Sequence, residues 1–131
     1  MTTKNVLTVF GAIMGLQAIG LFFGAEAIST EAFAALNPTE TGIRIGTIMH
    51  QVAGVTSLTV ALILLSSRSL APAAGAKVLF GASVGLVFIL VHGFYNLAAT
   101  ETKPPVPLLV IMSILAILGF ITASKAQSQE S

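Results

Sequence analysis

Four apolar runs separated by short polar stretches set the pattern of this chain. They cover about residues 6–24, 43–65, 78–98 and 106–123. Each has close to the ~20 residues that an α-helix needs to cross the ~30 Å hydrocarbon core of a bilayer. The pattern predicts an all-α fold, a four-helix antiparallel transmembrane bundle in one domain, because short connections make consecutive helices antiparallel neighbours. Lys4 before the first run and Ala25-Glu26-Ala27 after it also fit a secretory signal. The run exceeds the roughly 7–15 apolar residues of such a signal, and we read a retained helix. In the first connection, Ser29 or Thr30 is placed to cap a short helix through Leu36, which Asn37-Pro38 would end. Phe33 and Leu36 share its face, so we expect it to lie at the membrane interface.

Composition sharpens the class. Of 131 residues, 55% are hydrophobic and 8% charged, against about 25% charged in a soluble domain. The formal net charge is +1 and no run of basic residues stands along the chain. Neither a nucleic-acid partner nor an anionic-lipid cluster is indicated. With no cysteine there is no disulfide, thiolate metal site or cysteine nucleophile. Lys4, Arg68, Lys77 and Lys125 fall on one side of the four spans, and Arg44 and Lys103 on the other with Glu26, Glu31, Glu40 and Glu101. By the positive-inside rule both termini are expected in the cytoplasm, and a bacterial inner (plasma) membrane is the default location. At the outer rim, Arg44 reads as an anchor with a snorkelling stem or as an anion-attracting mouth.

Polar groups recur at one depth. Gln17, His50, His92 and Ser113 each lie seven or eight residues from the outer end of their segment, about 10 Å inward at 1.5 Å per residue. Asn96 shares a face with His92, and Tyr95 is three residues on. Met14, Met49 and Met112 fall near this level. One reading makes His50 and His92 metal ligands, holding a haem iron from both sides or, with the methionines, a copper ion. Another makes a quinone or proton site, with Gln17, Tyr95 and Asn96 orienting a carbonyl or a water. In the plainest reading the layer residues hydrogen-bond one another and fix helix order. No Ser/His/carboxylate set shares a depth, so hydrolysis is disfavoured and the chain leans away from being an enzyme.

Glycine pairs four apart, Gly11 with Gly15, Gly20 with Gly24 and Gly81 with Gly85, are the spacing that lets membrane helices approach closely. The four-segment layout, with GIRIGTIMHQVAGVTSLTVALILL as its second segment, resembles the small four-helix DoxX-like bacterial inner-membrane proteins. That resemblance implies quinone-linked sulfur oxidation or redox-stress partners and transfers no site residue. The sequence thus leads to a non-catalytic accessory or assembly subunit, in contact with the lipid bilayer and with other membrane subunits or further copies of itself. The alternatives are a haem- or quinone-binding protein and an oligomeric transporter.

Overall fold

The computed structural model describes residues 2–102 and 104–128, Gln127 by its backbone alone. Lys103, counted above among the outer cations, lies outside the described residues. Five α-helices follow one another: α1 (Thr3–Phe23), α2 (Ala25–Ala32), α3 (Glu40–Ser67), α4 (Pro72–Ala99) and α5 (Val106–Ser128). A single 3₁₀ turn, Ala34–Leu36, joins α2 to α3. There is no strand among the described residues. The long helices α1, α3, α4 and α5 are each long and apolar enough to cross a membrane.

The helix starts follow local chemistry. Thr2 caps α1 by accepting from the Asn5 amide, and Thr39 caps α3 by accepting from the Gly42 amide at 3.1 Å. Pro72 stands in the first turn of α4, where its missing N–H leaves nothing unpaired. Both α3 and α4 have 28 residues, about 42 Å at 1.5 Å each. They outrun the apolar stretch, so their ends reach the headgroup level.

Two tight antiparallel pairs make the bundle. A Cβ built on Gly54 of α3 would lie 3.0 Å from the Ala18 carbonyl oxygen and 3.1 Å from the Phe22 amide nitrogen of α1. One at Gly11 would meet Leu65 and the Ala61 carbonyl. In the second pair, Gly93 of α4 admits Leu109 of α5, Gly119 admits Ser83, and the Phe80 and Phe120 rings meet edge-on at 5.5 Å. Gly75 admits Thr3 and Leu7, which sets α1 parallel to α4. Leu7, Phe10, Met14, Leu64, Leu79, Met112 and Leu115 fill the space between the pairs. Outside, Leu16, Phe23 and Phe88 are 70% exposed or more. Such a surface would aggregate in water and is ordinary against lipid tails. This is a multi-pass membrane protein.

The short helix of the first connection differs from the sequence reading. It begins at Ala25, directly after α1, and Ser29 sits inside it rather than at its cap. The reason is Gly24, which donates to the Gly20 carbonyl and accepts from the Ile28 amide. The hydrogen-bond ladder therefore carries through the bend instead of restarting. As a result Ser29 is 0% exposed and faces α3. α5 continues past the apolar run to Ser128.

Candidate functional site

The site forms where α2 folds against α3. Gly46 makes this possible: a Cβ there would lie 2.5 Å from the Phe33 ring and 3.1 Å from Ser29 Oγ. One turn on, His50 Nδ1 lies 2.9 Å from Ser29 Oγ and 2.9 Å from the Gly46 carbonyl. The carbonyl can only accept, so Nδ1 carries the proton. Ser29 gives its own hydrogen to the Ala25 carbonyl at 2.8 Å, so its oxygen is free to accept from Nδ1 as well. The ring is thereby locked in one tautomer, and Nε2 is left as a bare acceptor.

That nitrogen is reachable. Among the described residues, the only buried side-chain polar atom without a partner is Gln17 Oε1; the half-buried, unpaired Nε2 of His50 is therefore accessible. His50 lines a cavity of about 660 Å³ between α2, α3, the end of α4 and the start of α5. Ile28, Phe33, Val106 and three prolines, Pro104, Pro105 and Pro107, give it apolar walls. Its polar groups are His50, Glu31, Asn96 and Thr102. Thr102 is engaged with Thr100 at 2.7 Å.

The other layer residues separate. His92 is exposed on the outer face of α4, and its Nε2 accepts from Asn96 Nδ2 at 3.0 Å. Asn96 lines the cavity while His92 does not, so the two histidines do not face one common space. Tyr95 is 60% exposed on the same outer face. Gln17 lies half-buried, outside this cavity, with Oε1 unpaired. Ser113 turns back to the Leu109 carbonyl. The four layer residues thus do not bond one another. Met14 and Met112 are in the core, whereas Met49 is 66% exposed, so no thioether joins either imidazole from a shared pocket. No group of three or more His, Asp or Glu side chains stands together among the described residues. Arg44 is exposed at the rim.

Sequence reasoning misses Ser29 as the partner of His50. The two are 21 positions apart, and only the bend at Gly24 brings them together. The available signal is Gly46, a small residue one turn before a histidine, which marks a close approach by another element. No family model, curated protein or solved structure matches the chain. The functional reading therefore rests on this geometry.

Proposed function

We infer that the protein binds a small hydroxyl-bearing amphiphile in the His50 cavity, with quinols as the lipid-soluble class that fits. The observation that carries this is the locked imidazole: its only free nitrogen is a hydrogen-bond acceptor at the edge of a largely apolar cavity. Glu31 adds a second acceptor. Such a lining suits a ring that brings donors, and the prolines and Phe33 offer flat apolar contact. A binding site with a few polar groups on apolar walls is the usual form of a small-molecule pocket. The test is equilibrium binding, in lipid nanodiscs under reducing and oxidising conditions, of tetramethyl hydroquinone and its quinone. The hydroquinone should bind about tenfold tighter, since the quinone has no hydrogen to give Nε2. His50→Phe should abolish the difference. Equal binding of the two forms, or a preference untouched by His50→Phe, overturns the reading.

A second role, as an accessory subunit, is favoured by the outer face of α4. His92 stands there, held by Asn96, within a membrane-crossing helix, where polar groups are expensive and mark contacts. Gly81 and Gly85 on that face have nothing within 4 Å of a built Cβ, so a helix of another membrane protein can lie close. A photo-crosslinker at Phe88 should give a discrete adduct in native membranes, and one at Ile117 of α5 should not. An adduct of twice the chain mass would instead make the partner a second copy. We place both termini in the cytoplasm of a bacterial cell, supported by the cations at that end of the bundle. A C-terminal reporter enzyme active only outside the cell should stay silent.

A further inference from the structure

The end of the bundle opposite His50 holds a second cavity, of about 580 Å³. It is lined by cations from three separate places: Lys4 at the start of α1, Arg68 at the end of α3 and Lys125 near the end of α5. Leu7 contributes apolar wall. No carboxylate lines it among the described residues. Of the five acidic residues, Glu26, Glu31, Glu40 and Glu101 belong to the other end of the molecule, and Glu130 lies outside the described residues. Two helices begin here and two end here, so their dipoles largely offset one another and the side-chain charges set the potential.

Two hydroxyls complete the lining. Thr3 is 9% exposed and Thr122 is 6% exposed, and both line the cavity. A threonine inside a helix ordinarily turns its hydroxyl back to a carbonyl four residues earlier, as Thr8 does to Lys4; Thr3 opens α1 and has no such carbonyl, whereas Thr122 leaves its own unused. Among the described residues neither the Thr3 nor the Thr122 hydroxyl has a partner, and neither is sealed from the cavity, since Gln17 Oε1 is the only sealed and unpaired side-chain atom there. Hydroxyls left unpaired in a cavity with three cations that have no ion-pair partner among the described residues are the complement of a multivalent oxyanion. Arginine and lysine meet phosphate oxygens through charge-assisted hydrogen bonds, and the hydroxyls can donate to the same group.

We propose that this cavity binds the phosphate of an anionic phospholipid headgroup. The position argues for lipid as the source. The cavity lies at the ends of four membrane-crossing helices, at headgroup level, and basic pockets between helices at that level suit such headgroups. Arg68 and Lys125 hold the phosphate by charge, Thr3 and Thr122 hydrogen-bond it from beneath, and Lys4 closes the ring.

The experiment is native mass spectrometry of the detergent-purified full chain titrated with phosphatidylglycerol or phosphatidylcholine. Phosphatidylglycerol should bind as a single retained adduct in preference to phosphatidylcholine. Arg68→Gln and Lys125→Gln should each weaken it about fivefold. Thr122→Val, which keeps the shape, should weaken it severalfold. Lys77→Gln is the control, because Lys77 is exposed near the same end but does not line the cavity. Its binding should match wild type. Equal retention of the two lipids, or an equal loss in Lys77→Gln, overturns the proposal in favour of diffuse surface charge. Displacement of the lipid by millimolar inorganic phosphate would assign the site to free phosphate and overturn the lipid source.

Discussion

Gly54 is the sharpest place to test the packing. A Cβ there would press on backbone, the Ala18 carbonyl and the Phe22 amide, at 3.0 and 3.1 Å. A side chain can rotate away from such a contact, but a helix backbone cannot without moving the helix. Gly54→Ala gains about 1 kcal/mol of helix propensity. Overpacking a fitted contact costs about 1–3 kcal/mol. With backbone as the obstacle the upper part of that range applies, and the net loss should be about 1–2 kcal/mol. Gly81→Ala is the matched control, since nothing lies within 4 Å of its Cβ. It should be neutral or stabilising by up to about 1 kcal/mol. Both are read by reversible unfolding in mixed micelles, following helicity against the mole fraction of denaturing detergent. Opposite signs support close contact of α1 and α3 at Gly54. A Gly54→Ala protein as stable as Gly81→Ala would refute it.

Nitrogen NMR of labelled imidazoles should find neutral His50 and His92 both protonated on Nδ1, because Nδ1 of His50 faces a carbonyl and Nε2 of His92 faces an amide donor; a dominant Nε2–H form in either ring would contradict its contacts. Gln17→Leu should raise unfolding stability by about 1 kcal/mol, since it removes an unpaired buried oxygen at similar volume, and a loss of stability would mean that Oε1 has a partner. Thr39→Ala should lower stability by about 1 kcal/mol through loss of the α3 cap, with Thr39→Ser restoring most of it in the same unfolding assay.

The four spans are legible in the sequence because hydrophobic length alone decides them. Bilayer thickness leaves little choice once four runs of about 20 apolar residues exist. The connections are less legible. Asn37 adopts φ 46° and Thr39 caps as expected of its type, but Gly24 bends the ladder without breaking it. A glycine between an apolar run and a polar connection reads equally as a stop or a bend, and only the packing of Ser29 on Gly46 decides. The common depth of Gln17, His50, His92 and Ser113 is readable from residue counts. Their facing is not, because helix rotation depends on which neighbours pack closest. That is why His50 turns to a cavity while His92 turns outward. Lys4, Arg68 and Lys125 are isolated in sequence, so no local pattern shows a basic cluster. Their convergence follows from the pairing of the helices.

That pairing has a consequence for how the molecule is assembled. The chain through Arg68 forms one packed unit, α1 and α2 against α3, and the chain from Pro72 forms another, α4 against α5. The boundary between them is the short polar link around Ser69 and Leu70, at the membrane surface. Translation delivers the first unit complete before the second begins, so each can enter the bilayer as a self-satisfied hairpin and dock afterwards. The same gene cut at this link should encode two fragments that find one another. The basic cavity, which takes Lys4 and Arg68 from one unit and Lys125 from the other, exists only after docking, and a headgroup bound there would serve as the clasp between halves.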